Sequence, residues 1–269
     1  MSSLKTESEE FITWYLNNLI NNRRTVGSHF DDSLVFLPYC GLDEETTIHL
    51  FKFYVKIRYP EFEIDDSNIG IIELLAKISA RKCSKRGLII RGTVGVGKTT
   101  LLRYWLDFRS KVLANGSNSK VIESGKKEKE FKMLIYDPTS LIARFMKKGH
   151  SIFFDEGQIC FVDDMGLATT VNHFGTITNI LEELIYSQYV KFKEDPAFEF
   201  YGTTNLASGN LQNIIGERAM SRLLEMASWN EGLLQGGDRR KTASQSNEWP
   251  KLAYPNQSNG QSYPDYDPI

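Results

Sequence analysis

Eight consecutive residues constrain this chain more than any others: Gly92-Thr93-Val94-Gly95-Val96-Gly97-Lys98-Thr99 matches the pattern G-x-x-x-x-G-K-[ST] in full. Glycines at these places let the backbone turn tightly and aim its N–H groups inward, where they can surround a phosphate. A helix starting directly after the loop adds the partial positive charge of its N-terminus. In such a loop Lys98 reaches the β- and γ-phosphates, the Thr99 hydroxyl ligates Mg²⁺, and Thr100 belongs to the same contact set. The flanks agree with this reading. Gly87-Leu88-Ile89-Ile90 is a short apolar run suited to a buried parallel strand, and Thr99 to Leu113 carries Leu101, Leu102, Trp105 and Leu106 at helical spacing.

A phosphate loop of this kind needs a sheet behind it, and the following chain supplies one. Phe131–Tyr136, Ile159–Val162 and Phe198–Gly202 read as further strands. Between them, Leu141, Ile142, Phe145 and Met146 mark a helix after Pro138, and a second helix is expected over Ile177–Val190. Alternating strands and helices predict an α/β fold: a three-layer P-loop domain with a mainly parallel sheet, spanning residues 86–240.

The segment through residue 85 reads as a small helical N-terminal region. One helix carries Phe11, Trp14, Tyr15, Leu19 and Ile20, another runs from Asp43 to Tyr59, and a third from Asp65 to Ala80. Their apolar stripes serve either core packing or the docking of a partner. Residues 115–130 are polar and charged, as in an exposed insertion, and the Ser-, Asn-, Pro- and Tyr-rich segment 241–269 has the composition of a disordered tail.

Composition narrows the field of functions. The 269 residues are 41% hydrophobic and 25% charged with a net charge of −2, so bulk charge does not draw the chain to nucleic acid, and any DNA contact needs a local basic patch. Lys147-Lys148-Gly149-His150 is the candidate, with a solvated helix end as the alternative. Three distant cysteines and four scattered histidines give neither a disulfide framework nor metal-ligand spacing. No apolar run is long enough to span a membrane and the N-terminus is polar and acidic, so a cytoplasmic protein is expected.

The remaining chemistry lies at the strand ends. Ile159-Cys160-Phe161-Val162 runs into Asp163-Asp164, which puts two carboxylates at the carboxyl edge of the sheet. Asp163 is expected to hold Mg²⁺, and Asp164 to orient or deprotonate the attacking water. Thr203-Thr204-Asn205 ends the next strand, where Asn205 suits the water near a γ-phosphate but also suits a helix cap. Arg218 and Arg222, at i and i+4, share one helix face, either as surface ion-pair partners or as arginines completing a neighbouring subunit's site.

In order and spacing these motifs resemble the AAA+ ATPases, and among them the DnaC-like helicase loaders and their IstB-like relatives. The resemblance covers residues 86–240. It rests on Gly92 to Thr99, Val162-Asp163-Asp164-Met165-Gly166, Thr204-Asn205-Leu206, Gly216-Glu217-Arg218 with Ser221-Arg222-Leu223, and more weakly on Gly237-Asp238-Arg239-Arg240. It implies ATP and Mg²⁺ as cofactors, Asn205 as a sensor, Arg222 in the arginine-finger position and Arg218 as its support. It also implies self-assembly through the ATP sites, a replicative helicase as partner, and single-stranded DNA as the place where that helicase is loaded; for IstB-like relatives the partner is a transposase. A nucleotide-switched interaction protein with little hydrolysis is a further reading. Asp164 stands where the family usually has Glu, Gln188 where it often has Arg, and residues 1–85 match no motif. A small-molecule kinase would need an arginine-rich lid, but residues 137–158 offer only Arg144, Lys147 and Lys148. A GTPase would need an Asn-Lys-x-Asp element, which the chain lacks.

Overall fold

In the computed structural model, residues 43–110, 133–155, 157–167, 169–173, 175–237 and 239 are described. The expected first helix around Trp14, the insertion at 115–130, the tail after 240, Cys40, and Asp238 and Arg240 lie outside them.

Four apolar segments form the expected parallel sheet: β1 (Gly87–Arg91), β2 (Met133–Tyr136), β3 (Ile159–Val162) and β6 (Glu199–Thr204), in the order β1-β6-β3-β2. The stretch after residue 227 runs parallel beside β1, with bridges Leu88–Ser228 and Arg91–Leu233. Each strand is flanked on both faces, so its residues alternate between two cores. Leu88, Ile90, Ile159, Phe161 and Tyr201 face one core, which α1 (Glu44–Arg58), α2 (Ile69–Ser79) and α3 (Lys98–Phe108) cover. Ile89, Cys160, Val162 and Phe200 face the other, covered by α4 (Pro138–Lys148), α5 (Ile180–Glu194), α6 (Ser208–Ile215) and α7 (Glu217–Met226). This is the three-layer α/β P-loop fold that the sequence predicts.

The helix ends follow local chemistry. Asp43 caps α1 by accepting from the Thr46 amide at 2.8 Å. In α4, Asp137 and Ser140 form a capping box and Pro138 occupies the first turn, where its missing N–H costs nothing. The third expected helix starts later than Asp65: that carboxylate accepts from the Ser67 amide at 3.0 Å, which holds residues 65–68 in a turn before α2.

Residues 176–179 do not begin the helix expected from Ile177. They form β5 (Thr176–Asn179), antiparallel to β4 (Thr170–His173), with Gly175 in the turn at φ +83°. β-branched Thr176-Ile177-Thr178 favours the strand, and Asn179 then caps α5 from the Glu182 amide at 3.4 Å.

The helices before β1 belong to the first core rather than standing apart. On α3, Asp107 accepts hydrogen bonds from the hydroxyls of Tyr54, at 2.7 Å, and Tyr59. Tyr59 also stacks on Tyr104 with ring centres 3.7 Å apart. Deeper still, Glu199 at the start of β6 sits between Arg109, at 2.7 Å, and Arg81, at 3.1 Å, and accepts from the Tyr201 hydroxyl at 2.7 Å. The two guanidiniums therefore neutralise the carboxylate within the core: Oε2 accepts both hydrogen bonds, and Oε1 faces the Arg81 charge without a hydrogen-bond partner among the described residues.

Candidate nucleotide site

The phosphate loop joins β1 to α3, and its glycines are needed for two separate reasons. Gly92 has φ +152°, and a Cβ there would lie 2.3 Å from the Leu234 carbonyl oxygen. Gly97 has φ +97° and is the residue from which α3 starts. A side chain at Gly92 would clash, and one at Gly97 would be strained. Val96 is buried under the loop, whereas Thr93 and Val94 are exposed at its rim.

Lys98 is the first residue of α3 and is buried. Its ammonium donates to the carbonyls of Gly92, at 2.9 Å, and Thr93, at 2.8 Å, and to Asn205 Oδ1, at 2.5 Å. Asn205 Nδ2 in turn donates to Asp164 Oδ1 at 3.1 Å. One side chain therefore links the loop lysine to the second acid. The sheet order explains this meeting: β6 lies between β1 and β3, so its end falls between the phosphate loop and the paired acids.

Asp163 is buried at the end of β3. Its Oδ1 accepts from the Thr99 hydroxyl at 2.8 Å and from the Thr203 hydroxyl at 2.6 Å. The Thr203 hydroxyl also accepts from the Asp164 amide at 2.8 Å. Asp164 has φ +51°, a left-handed conformation that Asp adopts more readily than most residues. That backbone gives a physical reason for the shorter acid where Glu was the family expectation. The Thr204 hydroxyl donates to the Met165 carbonyl and pins the turn after the acids.

Thr99 and Asp163 fit Mg²⁺. A hydroxyl and a carboxylate are hard oxygen donors, and Mg²⁺ takes one or two protein ligands while keeping several waters. Among the described residues no group of three His, Cys, Asp or Glu could hold a metal in a protein-only cage.

The structure thus brings together Gly92, Thr93, Gly95, Gly97, Lys98, Thr99, Asp163, Asp164 and Asn205; Thr100 follows in the first turn of α3. Arg218 and Arg222 stand elsewhere, on α7. Arg222 pairs with Glu225 at 2.8 Å, donates to the Tyr189 hydroxyl at 3.1 Å and lies over that ring, while Arg218 is exposed. Gln188 is buried. Lys147, Lys148 and His150 are exposed at the end of α4.

Three residues at the site are not evident from its motifs. Thr203, in the sequence only part of the strand-ending run before Asn205, is a hydroxyl at a fully buried strand position. Arg103 lies one turn after Thr99 and points a guanidinium nitrogen at Asp163 Oδ2, 3.5 Å away. Asp65 holds Arg239 at 2.8 Å, while the Arg239 amide donates to the Gly95 carbonyl at 3.0 Å, so the weakest of the resembling motifs touches the loop. Ser67 and Arg239 hold the Asp65 carboxyl below the usual carboxylate range.

No family model and no curated protein matches the chain. Among solved structures it is similar to domain III of the Thermotoga maritima replication initiation protein DnaA, at 16% identity over 69% of each chain with a TM-score of 0.46. It is similar to DnaI at 16% identity over 64% of this chain and 88% of that one, with a TM-score of 0.43. To AMPPCP-bound DnaA from Aquifex aeolicus it is 13% identical over 63% of this chain, with a TM-score of 0.42, and it spans 48% of that structure. Similarity at this level assigns no function to the chain.

Proposed function

We propose that this chain is a cytoplasmic ATPase of the AAA+ type that acts as a helicase loader, binding a replicative helicase and placing it on single-stranded DNA in an ATP-dependent way. The observation that carries the ATPase reading is the convergence of Lys98, Thr99, Asp163, Asp164 and Asn205 at one sheet edge, joined by direct hydrogen bonds. The resemblance of the motif order supports the loader reading.

In this reading the loop amides and Lys98 bind the phosphates, with the hydrogen bonds described for Lys98 exchanged for phosphate oxygens. Thr99 and Asp163 would hold Mg²⁺, which when bound would neutralise phosphate charge. Asp164 accepts the proton of the attacking water, and Asn205, already bonded to Asp164, fixes where that water sits. Arg222 and Arg218 serve a neighbouring subunit's site; Arg222 must then leave Glu225 as subunits assemble. The region before residue 86 selects the partner, and Lys147 and Lys148 contact DNA phosphates.

A nucleotide-switched protein with slow turnover is favoured by one observation. Asp164 is short and already engaged by Asn205, so a single rearrangement of Asn205 reports nucleotide state at both Lys98 and Asp164.

Co-elution with the replicative helicase of the same source, with and without ATP, tests the loader reading. A stoichiometric, ATP-sensitive complex that Lys98→Ala abolishes is expected. Absence of a complex, combined with ATP-dependent self-assembly on DNA, would transfer the chain to the transposition helpers.

A further inference from the structure

Asp163 divides its two oxygens between different kinds of partner. Oδ1 takes the hydroxyls of Thr99 and Thr203, whereas Oδ2 faces only the guanidinium of Arg103 among the contacts described for it. Thr99 and Arg103 are i and i+4 on α3, so the helix delivers both to the same carboxylate. The Asp163 side chain is 11% exposed, and a carboxylate that deeply placed needs a compensating charge. Arg103 supplies it.

The pair is nevertheless loose. Its contact is 3.5 Å long, the arginine side chain is 34% exposed, and Arg103 Nε is buried without a hydrogen-bond partner among the described residues. A tight structural ion pair would be bidentate and saturated. This one holds a charge beside the metal acid while leaving that charge free to move.

We propose that Arg103 is the standing counter-ion of Asp163 and sets the metal affinity of the nucleotide site, because a divalent cation must share or take Asp163 from the guanidinium. The proposal rests on the nucleotide reading above and adds a residue that none of the motifs contains. Two positive groups competing for one carboxylate weaken each other, so Arg103 lowers metal affinity and raises the metal concentration at which the site fills.

The test is a Mg²⁺ titration of the full chain with a fluorescent ATP analogue, together with Mn²⁺ binding followed by electron paramagnetic resonance. Wild type, Arg103→Gln, Arg103→Met and Arg103→Lys are compared, with melting temperatures checked. Because the pair is partly exposed, Arg103→Gln and Arg103→Met are expected to move the metal midpoint roughly three- to tenfold lower, and Arg103→Lys to stay near wild type. An unchanged or higher midpoint in either neutral variant, at unaltered melting temperature, overturns the role given to Arg103. Failure of every protein, wild type included, to bind the analogue at any metal concentration overturns the nucleotide reading itself, and the inference with it.

Discussion

At Asp164, side-chain chemistry and backbone conformation meet in one residue. Its left-handed backbone favours a short acid, and its carboxylate is the one that Asn205 connects to Lys98. Replacement by Asn keeps the backbone preference and removes the base. Asp164→Asn should therefore melt like the wild type, bind ATP, and lose turnover by on the order of 10²-fold or more. Asp164→Glu should melt lower, by about 0.5–1 kcal/mol of stability, because a longer side chain gains no local hydrogen bond at positive φ. Steady-state phosphate release and thermal melting measure the two effects separately. Cys160 offers a contrasting case. Burial pushes its thiol up to about 12, so in the folded protein it should stay unlabelled by a thiol reagent at pH 8 and react only on unfolding. A folded-state pKa raised in this way means that the stability contributed by Cys160 is complete below the unfolded thiol's value of about 8.5 and is lost as pH rises above it. Peptide mapping of labelled native protein checks the first statement.

At the scale of elements, α1 is fastened to the phosphate-loop helix through Asp107, which accepts from Tyr54 and Tyr59. Asp107→Ala should remove about 2–4 kcal/mol, since two buried hydroxyls lose their acceptor, and should speed proteolysis within α1; urea unfolding and limited digestion read these out. β1, β2, β3 and the loop between β1 and α3 were legible because each of these strands is a short apolar run leading into glycine or acid, whereas β6 continues past Gly202, where its apolar run stops, to Thr204. The hairpin of β4 and β5 was not, since Ile177 fits a helical stripe as well as a strand, and the β-branched Thr176-Ile177-Thr178 run decides for the strand together with Gly175 in the turn and Asn179 as the helix cap. The same limit applies to the site. Lys98, Asp163 and Asn205 announce themselves by position in a motif, whereas Thr203, Arg103 and Asp65 acquire meaning only when β6, α3 and the turn before α2 come together. Arg222 shows the converse, a motif residue whose contacts within its own chain lie on another face.

At the scale of the whole molecule, the two cores meet across a sheet whose central strand, β6, carries both the buried Glu199 and the end that holds Asn205. A buried charge network and the candidate chemistry thus share one strand. Glu199→Ala leaves Arg81 and Arg109 without their buried partner and should cost about 3–5 kcal/mol, seen as a large drop in melting temperature. The nucleotide reading stands or falls with Lys98 binding phosphate at the carboxyl edge of this sheet. Equilibrium titration of wild type and Lys98→Ala with a fluorescent ATP analogue in Mg²⁺ tests it most directly. Saturable binding by the wild type is expected, with affinity weaker by roughly 100-fold or more in a Lys98→Ala variant that is still folded, because charge-assisted hydrogen bonds to phosphate are lost. A wild type that does not bind, or a variant that binds equally well, would contradict that reading.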